Sequence, residues 1–272
     1  MNRIAFIAIA LLLIVTESFA QSTKVDTLYA GFNEASALTV TNNAIYVVES
    51  GAHRVLKLSL QGNLIEKYGN RGSSNYQFDR PQDIATTNGL KIFVSDPGNN
   101  RIQVFDKRWQ YLSSIIGNGK FRTSEEITPE YLAVNKIGEV FFIDKRSSSI
   151  SKYDENGTYL DQIPIPSEIR DVSRLQLTDS KIFLLDKRSG VIHRLSENGF
   201  YETFYEGKET TAFFFSDESL YRVNGTLVEM DNRQQVNTIL SLEKGIKVKD
   251  IIVVEDVIYI LSSNTLIKIQ RK

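Results

Sequence analysis

FDRPQDIATTNGLKIFVSDPGNNRIQVF, residues 78–105, decides how the whole chain is read. It opens with a turn at Asp79-Arg80-Pro81 and runs into a short apolar segment. It turns at Asn88-Gly89, continues as Leu90–Val94, turns through the polar residues Asp96–Arg101 and ends in Ile102–Phe105. Short apolar runs separated by Gly, Asn, Asp and Pro are strand–turn–strand chemistry. A single sheet of this size cannot bury its own faces, so the fold depends on whether the unit recurs.

It recurs. The pair Ile92-Phe93 has counterparts at Ile45-Tyr46, Val140-Phe141, Ile182-Phe183, Leu220-Tyr221 and Ile258-Tyr259, at spacings of 47, 48, 42, 38 and 38 residues. A large apolar residue precedes each pair by seven or eight positions: Leu38, Ile84, Leu132, Leu175, Phe213 and Ile251. Another follows at Val55, Ile102, Ile150, Ile192, Leu227 and Leu266. Fourth strands are expected near Leu64–Tyr68, Tyr111–Ile116, Thr158–Ile163, Tyr201–Tyr205 and Val236–Leu240, after turns such as Asn156-Gly157 and Asn198-Gly199. Each unit reads as a four-stranded antiparallel meander of about 40–45 residues, the size of a propeller blade. Helical periodicity is nearly absent, and Gly117–Glu130 reads as a long surface loop.

The sixth unit ends before a fourth strand. Val25–Gly31, ahead of the first unit, resembles the fourth-strand endings and is expected to supply it. The chain is therefore predicted to be all-β, a six-bladed β-propeller of four-stranded antiparallel blades, closed by the N-terminal strand pairing with the last blade. Closure removes exposed sheet edges. That matters in a chain with no cysteine.

Arg3, the twelve-residue apolar run Ile4–Val15 and Ser18-Phe19-Ala20 read as an export signal over residues 1–20, leaving 21–272 as the propeller. Twelve residues fall short of the ~20 a spanning helix needs, so no membrane span is expected after cleavage. The protein is expected in the periplasm or outside the cell, as a monomer. A net charge of −1 offers no argument for nucleic acid.

The second unit resembles the NHL repeat, through Arg80-Pro81, Asp83-Ile84-Ala85, Ile92-Phe93-Val94, Asp96, Gly98-Asn99-Asn100-Arg101-Ile102 and Val104-Phe105-Asp106. The first unit follows it with Glu49, Gly51, Arg54 and Val55; the third and fourth keep the turn acids Asp144 and Asp186; the last two lack that turn. The resemblance is to six-bladed NHL-type propellers of exported bacterial proteins. It implies a binding or scaffold module more often than an enzyme. The enzyme members imply an alternative, a metal-dependent lyase or lactonase-like hydrolase with its site at the central channel.

In such meanders the loop entering each innermost strand and the loop between the second and third strands share a face, onto which the channel opens. Four positions before each first-strand residue stand Glu34, Arg80, Thr128, Asp171, Glu209 and Lys247, with Asp83, Glu130, Tyr131, Arg170, Arg174 and Asp250 nearby. The candidate ligand-binding set is Glu34, Arg80, Asp83, Glu130, Tyr131, Asp171, Arg174, Glu209, Lys247 and Asp250, a mixed-sign ring suited to a polar ligand. The competing reading is that these charges satisfy one another and the loop backbone. The turn acids Glu49, Asp96, Asp144 and Asp186 read as braces that accept backbone N–H bonds. A zinc site is not expected from two histidines, His53 and His193, in non-equivalent places. No cofactor is expected, with calcium the one cation left open, since carboxylates alone could hold it. No catalytic residue is expected: the Gly-x-Ser-x-Gly elbow is absent. The basic pairs Lys107-Arg108, Lys145-Arg146 and Lys187-Arg188 fall on opposite faces, against a nucleic-acid platform. The aromatic residues Tyr76, Phe78, Tyr131, Phe200, Tyr201, Phe204 and Tyr205 either pack between blades or offer rings to a glycan or peptide. The expected partner is therefore a protein, a peptide or a glycan.

Overall fold

The computed structural model describes residues 24–271 apart from 88–89, 118–125, 179–180, 208 and 217. The expected export signal, the Asn88-Gly89 turn and most of the expected surface loop lie outside the described residues. Chain order begins with β1 (Lys24–Ala30). Blade one is β2 (Ala35–Val40), β3 (Ile45–Glu49), β4 (Arg54–Leu58) and β5 (Leu64–Tyr68). Blade two is β6 (Ile84–Thr87), β7 (Lys91–Asp96), β8 (Arg101–Asp106) and β9 (Tyr111–Ile116). Blade three is β10 (Pro129–Val134), β11 (Val140–Asp144), β12 (Ser149–Tyr153) and β13 (Tyr159–Pro164). Blade four is β14 (Val172–Thr178), β15 (Lys181–Asp186), β16 (Val191–Ser196) and β17 (Tyr201–Glu206). Blade five is β18 (Thr210–Ser216), β19 (Ser219–Asn224), β20 (Leu227–Asp231) and β21 (Val236–Ser241). Blade six holds β22 (Val248–Val254), β23 (Val257–Ser262) and β24 (Thr265–Gln270), and β1 completes it in the order β1-β24-β23-β22. The six-bladed, N-terminally closed propeller expected from the repeats is the observed architecture.

The strands form where β-branched and aromatic residues run between turn residues. Among the described residues no ladder joins one blade to the next, so the blades are held by their faces. The buried side chains divide into six apolar clusters, one at each blade boundary. Leu38, Ile45 and Leu56 of blade one, for example, pack on Ile252, Tyr259 and Leu266 of blade six. Trp109 stacks on Phe105 of its own blade at 4.6 Å and on Tyr68 of blade one at 4.2 Å, locking one such boundary.

The first-strand residues Leu38, Ile84, Leu132, Leu175, Phe213 and Ile251 are all buried. Two local expectations shift. Leu227 opens β20 but is exposed, and its neighbour Val228, paired with Val223, takes the core position. The alternation of a strand puts adjacent residues on opposite faces, so a one-residue offset exchanges core for surface. The expected loop through Glu130 also ends early, because Pro129 already begins β10, the first-residue position that suits proline in a strand.

Closure is antiparallel, from Lys24↔Gln270 to Ala30↔Thr265. Beyond the ladder, Gly31 N donates to Asn264 O at 2.9 Å and Ala35 N to Ser263 O at 2.9 Å. Leu28 and Tyr29 pack on the cluster between blades six and one. Gly62, at φ +87°, lets the blade-one turn lie under this strand, since a β-carbon there would stand 2.2 Å from Leu28 O. Deleting 24–30 strips an edge from β24 and uncovers that boundary. The melting temperature is expected to fall by roughly 10 °C or more, at about 2–4 °C for each kcal/mol lost in a chain of this size. An unchanged melting curve on differential scanning calorimetry would refute the closing role of β1.

Candidate functional site: the channel mouth

The innermost strands begin irregularly. A register shift falls between Ala35 and Ala37, Pro129 and Leu132, Val172 and Arg174, Thr210 and Ala212, and Val248 and Asp250. In blade two, Gln82 N donates to Ser95 O and Ser95 N to Asp83 O, so both residues face one. An extra residue in a strand bends it and re-aims the side chains beside it. Here the extra residues stand two positions before the buried apolar residue of each first strand. Ser36, Gln82, Ser173, Thr211 and Lys249, with Tyr131 in blade three, line a cavity of about 670 Å³. Glu34, Arg80, Lys187 and Lys247 line it as well.

One position further on, the residues are Ala37, Asp83, Tyr131, Arg174, Ala212 and Asp250. Arg174 of blade four reaches both acids of this ring. Its Nη1 donates to Asp250 Oδ2 at 2.9 Å and lies 3.8 Å from Asp83 Oδ1. The two aspartates also join neighbouring blades. Asp83 accepts Leu132 N at 2.9 Å, and Asp250 accepts Leu38 N at 3.1 Å. Both are buried. One guanidinium thus binds blades two, four and six across the axis, and each carboxylate carries the link into the following blade.

Burial raises Asp83 to about 7, with Asp250 adding to the rise and Arg174 and the Leu132 and Ile84 amides opposing it. Burial likewise raises Asp250, against the pull of Arg174. Burial works against the charge on Arg174, but Asp250 and Asp83 outweigh it and its pKa rises. Tyr131 is held protonated by burial, then by Glu130, Asp83 and Asp171. Polar capacity is left over: Ser36 Oγ, Ser173 Oγ, Thr210 Oγ1 and Arg174 Nε are buried without a partner.

The sequence-derived candidates separate into groups. Glu34, Arg80, Tyr131 and Lys247 meet at the cavity, over Asp83, Arg174 and Asp250. Glu34 and Arg80 pair at 3.1 Å, and both hold left-handed backbone, at φ 52° and 55°. Glu130 instead pairs with Lys145 at 2.8 Å. Asp171 is exposed and accepts Lys187 N through its carbonyl at 2.8 Å. Glu209 lines a separate depression with Tyr205, Asn224 and Thr226. The bulge residues Ser36, Gln82, Ser173, Thr211 and Lys249 are absent from the sequence-derived set. Counting two positions back from each first-strand residue, rather than four, would have found them.

Among the described residues no three His, Asp or Glu side chains stand together to hold a metal. Of the acids weighed for calcium, Asp83 and Asp250 meet Arg174, Glu34 meets Arg80 and Glu130 meets Lys145, while Asp171 is exposed. His53 Nδ1 accepts Arg80 N at 3.0 Å. His193, in blade four, is 3.1 Å from the Tyr201 hydroxyl.

The turn acids brace the fold by reaching the chain that enters the innermost strand. Glu49 accepts Asn33 N, Asp96 accepts Asp79 N, Asp144 accepts Thr128 N and Asp186 accepts Arg170 N. Arg54 and Arg101 complete the first two pairs. Of the aromatic residues, Phe78 is core, Phe204 packs between Phe183 and Phe215, and Tyr205 lies under Arg222. Phe200 is exposed.

Residues 78–105 match the NHL repeat. NHL repeat-containing protein 3 of Homo sapiens is 31% identical over 78 residues, which are 28% of this chain and 22% of that one. The chain thus spans less than a quarter of that relative. Among solved structures, virginiamycin B lyase from Staphylococcus aureus superposes with a TM-score of 0.65 at 11% identity, over 92% of this chain and 100% of that one. A gluconolactonase from Xanthomonas campestris superposes at 0.70 and 13% identity, over 92% and 90%. At such identities the likeness is one of fold. No helix among the described residues is long and apolar enough to cross a membrane.

The Asp–Arg–Asp contact makes stability depend on pH in a defined direction. The native state holds the Asp83 proton more tightly than the unfolded chain, whose aspartates titrate near ~4. Its contribution is therefore full below about pH 4 and is lost as pH rises through about 7. Denaturant titrations should show wild type losing stability from pH 5 to 8 relative to Asp83→Asn, which keeps the acceptor but not the ionisation. Arg174→Met should cost about 3–5 kcal/mol at pH 8 by leaving two buried carboxylates uncompensated, and less at pH 5. Parallel pH profiles for wild type and Asp83→Asn would refute the assignment.

Proposed function

We propose that this six-bladed NHL-repeat propeller is a binding module that takes a ligand or partner group at its channel mouth without transforming it. The observation that carries the reading is Arg174. Its guanidinium stands against the buried Asp250 and Asp83 carboxylates, where a catalytic cation would otherwise be held. What remains open to a ligand is a cavity with unpartnered hydroxyls and charged side chains around it. Recognition needs those groups; none of them is a nucleophile paired with a base. Export to the periplasm or beyond is part of the reading, on the strength of the apolar run Ile4–Val15 and the small residues Ser18 and Ala20.

The experiment presents a small-molecule extract to immobilised protein and compares wild type with Ser173→Trp, which fills the cavity. Wild type is expected to retain a compound and release it with its mass unchanged, while the filled variant retains none. Equal retention by both would remove the channel mouth as the site. Release of a compound altered in mass would replace the binding reading with a lyase or lactonase-like reaction.

A further inference from the structure

The ligand's chemistry follows from what the cavity leaves unsatisfied, given the channel-mouth reading above. Its walls carry Lys187 from the turn after β15, and Lys247 and Lys249 at the start of β22. All three are exposed, and among the described residues none is ion-paired. Arg80 is also there, with its charge shared with Glu34 at 3.1 Å. The acids beneath offer no counterweight, because Asp250 and Asp83 face Arg174 and the Leu38 and Leu132 amides. An unpaired cluster of like charge around a partly enclosed space attracts an anion.

Deeper in, the needs are different. Ser36 Oγ and Ser173 Oγ, both on residues that line the cavity, lack partners, and each can donate or accept. Buried polar groups without partners are costly unless something satisfies them. A ligand that ended in a bare hydrocarbon would leave both unmet, and an ammonium would meet three lysines with like charge. About 670 Å³ suits a molecule of one or two sugar-sized units.

We propose that the channel mouth binds a small hydroxylated organic anion, with its carboxylate or phosphate among Lys187, Lys247 and Lys249 and its hydroxyls on Ser36 and Ser173. The two oxyanions share this chemistry and are separated by the choice of probe. Isothermal titration calorimetry would compare galacturonate, glucose 6-phosphate, glucose and glucosamine at low salt. One or both anions should bind at least about tenfold more tightly than glucose and glucosamine, a gap of ~1.4 kcal/mol. The affinity should fall as salt rises, as for exposed charge.

Lys247→Ala combined with Lys249→Ala should weaken the anion by about tenfold or more, with the melting temperature unchanged because both side chains are exposed. Glucose binding as tightly as the anions, affinity indifferent to salt, or full affinity in the lysine variant would each overturn the proposal. So would the absence of heat with both anions. These failures are distinct from failure of the binding reading. A neutral compound retained by wild type and lost from Ser173→Trp would overturn the anion while leaving the site in place.

Discussion

A sheet that ends in an unpaired strand leaves a row of backbone donors and acceptors seeking partners. Five blades of this protein end in their own fourth strand, but the sixth must borrow one, and every other feature waits on that loan. β1 on β24 completes blade six and lays Leu28 and Tyr29 against the boundary where Leu38, Ile45 and Leu56 meet Ile252, Tyr259 and Leu266. Without it β24 keeps a bare edge and that boundary loses part of its cover, which loosens the one place where the two ends of the ring meet. With no cysteine available, the pairing of the first described strand with the last is what fixes the circumference.

Once the circumference is set, the axis becomes a place where six short segments converge. The bulges at the start of the innermost strands use this. Each turns one extra residue toward the channel while the next residue enters the packed ring. In three alternate blades that next residue is charged, and Arg174 draws the two acids together. Replacing one partner of such a buried contact leaves an uncompensated charge, whereas in the intact trio each carboxylate meets both the guanidinium and a backbone amide. The arrangement stiffens the floor of the cavity. It also occupies the acids that a cation site would need, which is why the unsatisfied groups above the floor, not the carboxylates within it, point to the ligand.

Much of the candidate site was legible as position but not as contact. Counting four back from Leu38, Ile84 and Ile251 gave Glu34, Arg80 and Lys247, which line the cavity, and the neighbouring Asp83, Arg174 and Asp250 meet at its floor. The same count placed Glu209 there, yet its side chain faces the turn at Gly225, where a β-carbon would stand 2.6 Å from Glu209 Oε2. Ser36, Ser173 and Thr211 escaped notice because a small polar residue beside a strand has no pattern of its own. It matters here only because a bulge, which hydrophobic periodicity does not register, aims it inward.

The amino-acid sequence by itself determined the number of blades, their strand order and the strand that closes the ring. These follow from local rules: apolar runs make strands, Gly and Asn make turns, and a repeat short by one strand must find it elsewhere. Only the tertiary structure decided which charges meet. Asp83, Arg174 and Asp250 lie far apart in the chain, and nothing local distinguishes them from Glu130 or Asp171. Their contact depends on the curvature of a closed ring and on burial, which makes a charge costly to leave unpaired and so selects its partner. The same burial leaves Ser36 Oγ, Ser173 Oγ and Arg174 Nε without partners, a property of the assembled channel that no single stretch of sequence contains.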